Sequence, residues 1–368
     1  MKIICSTELL SEACQNVQRV VSSKTSIPAI EGILMRAHDG VLQLTGYDLE
    51  VGINTTIDVK VEEEGSIVLN ARILCEILRK LPAERVSIEA DERQLCVIRC
   101  GDVEYKLVGI AAEEYPELPT VSGAVPVLVD SDVLGNMIKQ TIFAVSTNDT
   151  KIIHTGIKFE ISENRLRLIA VDGFRLAIRT EEIKYTGEPF NFVVPAKTLS
   201  EVVKLLDSSE VIAMNIAKRH IIFEVGTYNI VSRLLDGEFL DYNAAIPKSH
   251  STEVSVNVKT FIGSIDRTSL LITDRLKSPL RCIFDENMIR ISTVTSLGTA
   301  NDRIPAGIEG NRVEIGFNNR FLLDALRACD EENVKVTLNG ALSPITIVPN
   351  EGEKFLFLIL PVRLRNEG

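Results

Sequence analysis

The sequence predicts an α+β chain of three similar domains, each combining short antiparallel strands with two helices. Three observations carry that prediction. A ten-residue stretch recurs three times at intervals of one-third of the chain. A second helical pattern recurs at the same interval. The segments between them read as short alternating strands separated by turn signals.

The ten-residue stretch reads NARILCEILR at 70–79, PAKTLSEVVK at 195–204 and NNRFLLDALR at 318–327. Each copy follows a strand-like apolar run, at 66–69, 192–194 and 313–317, and opens on Asn or Pro, residues suited to a cap or first turn. Positions 72, 197 and 320 are basic and lie 125 and 123 residues apart. A third of 368 residues is about 123, so the repeat spans the whole sequence. At 3.6 residues per turn, positions seven apart share a face. Arg72 with Arg79, Lys197 with Lys204, and Arg320 with Arg327 therefore form basic pairs, while Leu74, Ile77, Leu78 and their counterparts form the buried stripe. Glu76, Glu201 and Asp324 stand four residues after the first base and three before the second, within reach of both. One such helix alone reads as a solvated face laced with ion pairs. Three in register, in an acidic protein, read as a shared basic surface.

The second helical pattern covers 7–22, 132–146 and 258–271, where Leu10, Leu134 and Phe261 lie 124 and 127 residues apart. Strand pairs 32–37/41–45, 156–161/165–170 and 281–284/288–293 flank turns at 38–40, 162–164 and 285–287. Further strands are expected at 51–59, 86–90, 95–100 and 103–108, then at 211–216, 221–225 and 229–234, and last at 334–338, 345–348 and 355–360. Proline-rich or polar stretches at 114–125 and 246–255 set domains of 1–122, 123–248 and 249–368.

A net charge of −11 argues against a protein coated in positive charge, but leaves room for a basic surface enclosed by acidic ones. The apolar run at 355–360 is far too short to span a bilayer, and the N-terminus lacks a secretory apolar core. Seven cysteines, an odd number with no CxxC, point to a reduced, cytoplasmic protein. Cys96 and Cys100 share one face of a strand and read as buried small side chains rather than metal ligands.

Chemistry-bearing motifs are missing: there is no glycine-rich phosphate loop, no dinucleotide fingerprint, no HExxH or Cys/His cluster and no GxSxG elbow. Asp130-Ser131-Asp132 reads as helix capping, and Asp172-Gly173 and Asp236-Gly237 as turns. No catalytic residue, metal or cofactor is expected. A second reading stays open: an enzyme acting on nucleotides or phosphorylated substrates, with the basic helices and Glu76 or Glu201 as its machinery.

Several segments carry a family resemblance. VDGFRLA at 171–177, LLDGEFLDY at 234–242, LPVRL at 360–364 and LTGYDLE at 44–50, in this order and with the triple repeat, resemble the β subunit of bacterial DNA polymerase III, the sliding clamp. The resemblance runs from Met1 to Leu364. It implies the DNA clamp fold, with sheets outside and helices inside, and a head-to-tail homodimer closing a six-domain ring around duplex DNA. It implies a non-catalytic processivity factor whose partners are DNA, the polymerase III catalytic subunit, the clamp loader, and other polymerases and repair proteins. By resemblance Lys24, Arg72, Arg79 and Lys197 face DNA; the repeat alone adds Lys204, Arg320 and Arg327. A client-peptide pocket would comprise His154, Val171, Gly173, Phe174, Arg175, Leu176, Leu240, Pro344, Leu358, Ile359, Leu360, Pro361, Val362, Arg363 and Leu364. In it, apolar side chains would provide burial, and Arg175 and Arg363 would orient peptide carbonyls or carboxylates. Tyr105 and Leu107 of one chain would meet Leu270 and Leu271 of the other, with buried core as the competing explanation for all four. The sequence departs from the family at Phe174 (usually His), His154 (often Leu), Leu240 (usually Pro), and Ala244 and Ala245 (commonly larger), which implies a pocket of altered width and polarity. Residues 365–368 extend past the usual end.

Overall fold

A computed structural model describes residues 1–22, 25–121, 123–206, 211–273 and 278–364. Among these are six α-helices: α1 (Thr7–Gln18), α2 (Ala71–Leu78), α3 (Ser131–Lys139), α4 (Ala196–Leu205), α5 (Val258–Thr268) and α6 (Asn319–Arg327). Every strand pairing among the described residues, in all four sheets, is antiparallel.

The chain packs as two compact units, and the middle repeat contributes to both. One unit joins Met1–Asp132 with Lys197–Leu234. Its five-stranded sheet ends on Val103–Val108. In its eight-stranded sheet, Val51–Asp58 of the first repeat pairs with Tyr228–Arg233 of the middle one, Val51 opposite Ser232. The other unit joins Val133–Ala196 with the chain from Leu235 onward. Its four-stranded sheet ends on Gly298–Pro305. In its nine-stranded sheet, Arg175–Glu182 of the middle repeat pairs with Phe355–Ile359 of the third, Arg175 opposite Ile359. Continuous ladders satisfy backbone groups that a break between repeats would leave as open edges.

The repeat survives at the level of single hydrogen bonds. Ile110 N donates to Val68 O (2.9 Å), Leu235 N to Val193 O (2.9 Å) and Val362 N to Gly316 O (2.8 Å). The acceptors Val68, Val193 and Gly316 lie 125 and 123 residues apart, as the basic positions do. The expected turns form as well: Asp39 and Gly40, Asn164, and Glu286 and Asn287 all have positive φ, the left-handed geometry of tight hairpins.

The helical stripes are buried. Leu74, Leu199 and Leu322 are each 0% exposed, and Leu78 and Leu326 nearly so. Some expected boundaries change. The 132–146 helix ends at Lys139, followed by a 3₁₀ turn at Ile142–Ala144, and the 258–271 helix ends at Thr268. Both stop where a buried threonine hydroxyl takes over the helix carbonyls: Thr141 donates to Met137 O (2.8 Å) and Thr268 to Ser264 O (2.8 Å). The 7–22 helix ends at Gln18. The expected strand 51–59 is Val51–Asp58, and the strand Lys60–Glu63 just beyond it, which was not expected, belongs to a different sheet. Cys96 and Cys100 are buried, and burial pushes the Cys96 thiol up to about 12.

Candidate nucleic-acid interface and client pocket

Asn70 and Asn318 cap α2 and α6: Ile73 N donates to Asn70 Oδ1 (3.1 Å) and Arg320 N to Asn318 Oδ1 (3.0 Å). The caps fix the helical phase, and the buried leucines turn the basic positions outward. Arg72, Arg79, Lys197, Lys204, Arg320 and Arg327 are all exposed. Lys24 lies outside the described residues.

The acids of the repeat are used differently in each helix. Glu76 pairs with Arg72 (3.0 Å) and Glu201 with Lys204 (2.8 Å). Asp324 is held by Arg175 (2.6 Å), while Arg327 pairs with Asp266 of α5 (3.0 Å). Lys197 pairs with Asp48. With Arg72, Lys197 and Arg327 keeping 81, 60 and 55% of their side-chain surface exposed, such pairs are worth about 0–1 kcal/mol and exchange readily for another anion.

The pocket residues converge from the strand ends of the nine-stranded sheet. Leu176 pairs with Leu358 in register, and Leu360 N donates to Phe174 O (2.9 Å). Val171, Leu176 and Leu358 join Ile169, Ile178 and Tyr242 in a buried cluster, with Phe239 and Ile246 packed against it. Ile359 is fully buried, and Pro344 immediately precedes its strand partner Ile345. Around this floor an apolar rim reaches solvent: Phe174, Leu240, Leu360 and Val362 are 60, 44, 37 and 39% exposed, enough apolar surface to seat a ligand. Gly173, with φ +91°, lets the chain turn between floor and rim, and Asp172 Oδ1 accepts from Phe174 N (2.8 Å) to close that turn. Val362, with Arg363 and Leu364, also lines an open groove of about 750 Å³ with Arg281, Glu314 and Leu342.

Two of the expected pocket residues are largely enclosed. Arg175 has a side chain only 12% exposed; it donates to Asp172 (2.9 Å) and Asp324 (2.6 Å), and its guanidinium lies 4.5 Å above the Phe321 ring. Its Nε and Nη1 are thus engaged inside the protein. His154 is 8% exposed, with its ring edge-on to Phe239 at 5.2 Å. Burial, followed by the nearby Lys151 charge, holds its pKa below the usual histidine value, so it stands neutral at pH 7.

Phe143, Phe239, Phe321 and Asp324 belong to this constellation without having been expected there. Phe321 and Asp324 lie three apart on a helix, a signal that they share a face, but the strand that meets this face is remote in sequence. The four expected interface residues are not core: Leu270 is 80% exposed, Tyr105 is 36% exposed, and Leu107 and Leu271 are half-buried. Tyr105 and Leu107 lie on the outermost strand of their sheet.

Sequence profiles of the DNA polymerase III beta subunit match nearly the whole chain: the N-terminal domain at residues 1–119, the central domain at 128–241 and the C-terminal domain at 243–363. The beta sliding clamp of Bacillus subtilis is 35% identical, covering 99% of this chain and 100% of that protein; that of Staphylococcus epidermidis is 33% identical over 94% of each. The crystal structure of the Bacillus subtilis DNA polymerase sliding clamp superposes with a TM-score of 0.97 at 35% identity, covering 99% of this chain and 100% of that one. A DNA polymerase III beta subunit from Eubacterium rectale does so with a TM-score of 0.95 at 34% identity, with the same coverage. With this agreement along its full length, in sequence and in backbone, the chain belongs to the DNA polymerase III beta subunit family, the sliding clamps.

Proposed function

We propose that this protein is a non-catalytic sliding clamp: two copies close a ring around duplex DNA, and the ring tethers the replicative polymerase and other clients for processive synthesis. The observation that carries this reading is the basic register repeated in α2, α4 and α6, exposed in all three on a chain of net charge −11. A ring held by topology needs only a weak, sequence-independent, salt-sensitive lining, and exposed bases in loose ion pairs suit phosphates that slide past. We read domains of 1–122, 123–248 and 249–368, DNA-facing residues Arg72, Arg79, Lys197, Lys204, Arg320 and Arg327, and a client pocket floored by Val171, Leu176 and Leu358. Such a clamp would work where the DNA is, in the cytoplasm. The enzyme alternative finds no support, since Glu76 and Glu201 are engaged with bases of their own helices.

Ring closure follows the logic of the two joints inside the chain. In each, an outer strand of one repeat pairs antiparallel with an outer strand of the next. Val103–Val108 and Gly298–Pro305 are the remaining strands of this kind, and head-to-tail pairing between copies would join them.

The test is retention on DNA. After loading, the protein should stay on a nicked circle and escape once the circle is cut. Equal retention on both forms would overturn the reading. Replacing Arg72, Lys197 and Arg320 together by Ala should shallow the salt dependence of DNA contact by about one unit per lost phosphate contact while the dimer stays intact.

A further inference from the structure

The first helix of each repeat presents a different charge at one shared position. Buried residues set the register: Leu10, Ala13, Cys14 and Val17 in α1; Leu134, Met137, Ile138 and Thr141 along α3 and just past it; Phe261, Ser264, Ile265 and Thr268 in α5. The threonine that closes α3 donates to Met137 O as the one that closes α5 donates to Ser264 O, which fixes the alignment a second way. Two residues before the last buried member of each set stand Gln15, Lys139 and Asp266. Asp266 shows where this position points. Arg327 Nη2 of α6 donates to both of its carboxylate oxygens (3.0 and 3.3 Å), so the position borders the basic stripe. Gln15 is neutral and bonds within its own helix, to Ser11 (3.0 Å). Lys139 is exposed at the end of α3, and its side chain has no hydrogen bond or ion pair among the described residues. The carbonyl end of the helix favours a positive charge there.

We propose that this position tunes how each repeat holds phosphate, with Lys139 a further DNA-contacting base and Asp266 a counter-charge. A phosphate that reaches Lys139 meets a free cation and gives up its own counterion. A phosphate that reaches Arg327 has to part it from Asp266, and then faces that carboxylate as a like charge. At this position the middle repeat adds to the grip on DNA, the first is neutral and the third subtracts from it. The inference rests on the reading of the basic helices as phosphate-facing.

The experiment measures binding of the intact dimer to a fluorescein-labelled duplex of about 30 base pairs by anisotropy over a salt series. Lys139→Ala should reduce the slope of log K against log salt by about one unit, the contribution of one phosphate contact. Lys139→Arg, which keeps the charge, should keep the wild-type slope. Lys184→Ala, which removes an exposed lysine just beyond the strand Arg175–Glu182, should leave the slope unchanged. Asp266→Asn should raise affinity, and by more than Glu163→Gln, which makes the same change in net charge at an exposed hairpin turn. Equal slopes for Lys139→Ala and Lys184→Ala, or equal affinities for Asp266→Asn and Glu163→Gln, overturn the proposal. Arg79→Ala tells its failure from that of the reading beneath it. The Arg79 side chain also has no hydrogen bond or ion pair among the described residues, so its loss should cost about one unit as well. If Arg79→Ala leaves the slope at the wild-type value, the phosphate-facing reading is wrong and this proposal falls with it. If Arg79→Ala lowers the slope and Lys139→Ala does not, this proposal alone falls.

Discussion

His154 shows how one residue would change the character of the proposed client pocket. A leucine there would complete an apolar wall; the imidazole brings polar nitrogens into a buried place, and Nε2 has no hydrogen-bond partner among the described residues. Burial first, and then Lys151, lower its pKa from the ordinary value near 6.5. The sign follows: as pH falls through about 6.5 the unfolded chain takes up the proton before the folded one, so stability drops until the lower folded-state pKa is passed. His220 shifts in the same direction, through burial and then Arg233 and Arg219. The wild-type melting temperature should therefore fall between pH 7.5 and pH 5.5, about, as these histidines titrate, and His154→Leu should fall less. Calorimetric scans of both proteins over that range check this; parallel curves would assign the pH sensitivity elsewhere.

At the scale of the element, apolar spacing and capping residues predict the helices well because both act locally. The same spacing says which substitutions hurt. Leu326→Ala, in the buried stripe of α6, should cost about 2–5 kcal/mol, and Asn318→Ala, which removes a side-chain cap, about 1 kcal/mol, both read from urea midpoints. Local signals miss seven strands, Lys2–Ser6, Lys60–Glu63, Val125–Asp130, Arg175–Glu182, Thr252–Asn257, Gly298–Pro305 and Gly307–Gly310, and two of these show why. Arg175–Glu182 has a buried arginine in its middle: Arg179 is 4% exposed and bonds to Lys354 O (3.0 Å), a partner 175 residues away. Gly298–Pro305 carries Asn301, Asp302 and Arg303, and its alternation is too polar to read as a strand. Both become strands because a neighbouring edge demands hydrogen bonds.

At the scale of the whole molecule, the repeat and the packing do not coincide. The sequence divides in three, whereas the chain condenses into two units that share the middle repeat. Each joint is a strand pair, and the same pairing between copies would leave the apolar groups Tyr105 and Leu270 at the seam. Replacing both with Asp should shift the solution mass from two chains to one, as sedimentation would register, with near-native melting of the separated chains. A variant that stays dimeric would place the seam elsewhere.

The sequence by itself determined the triple repeat, the phase of the helices, the outward direction of their basic residues and the tight turns, because each depends on residues within a few positions of one another. Only the tertiary structure decided that Lys197 meets Asp48 and Arg327 meets Asp266, that Arg175 is largely enclosed, and which residues would floor the proposed pocket and which would rim it. Those outcomes depend on strand ends such as Leu176 and Leu358, which lie far apart along the chain and become neighbours only when the sheet forms. Charge partners follow the same rule: within α2 and α4 the acid closes on its own helix, but beside α6 a distant arginine lies at 2.6 Å and takes it.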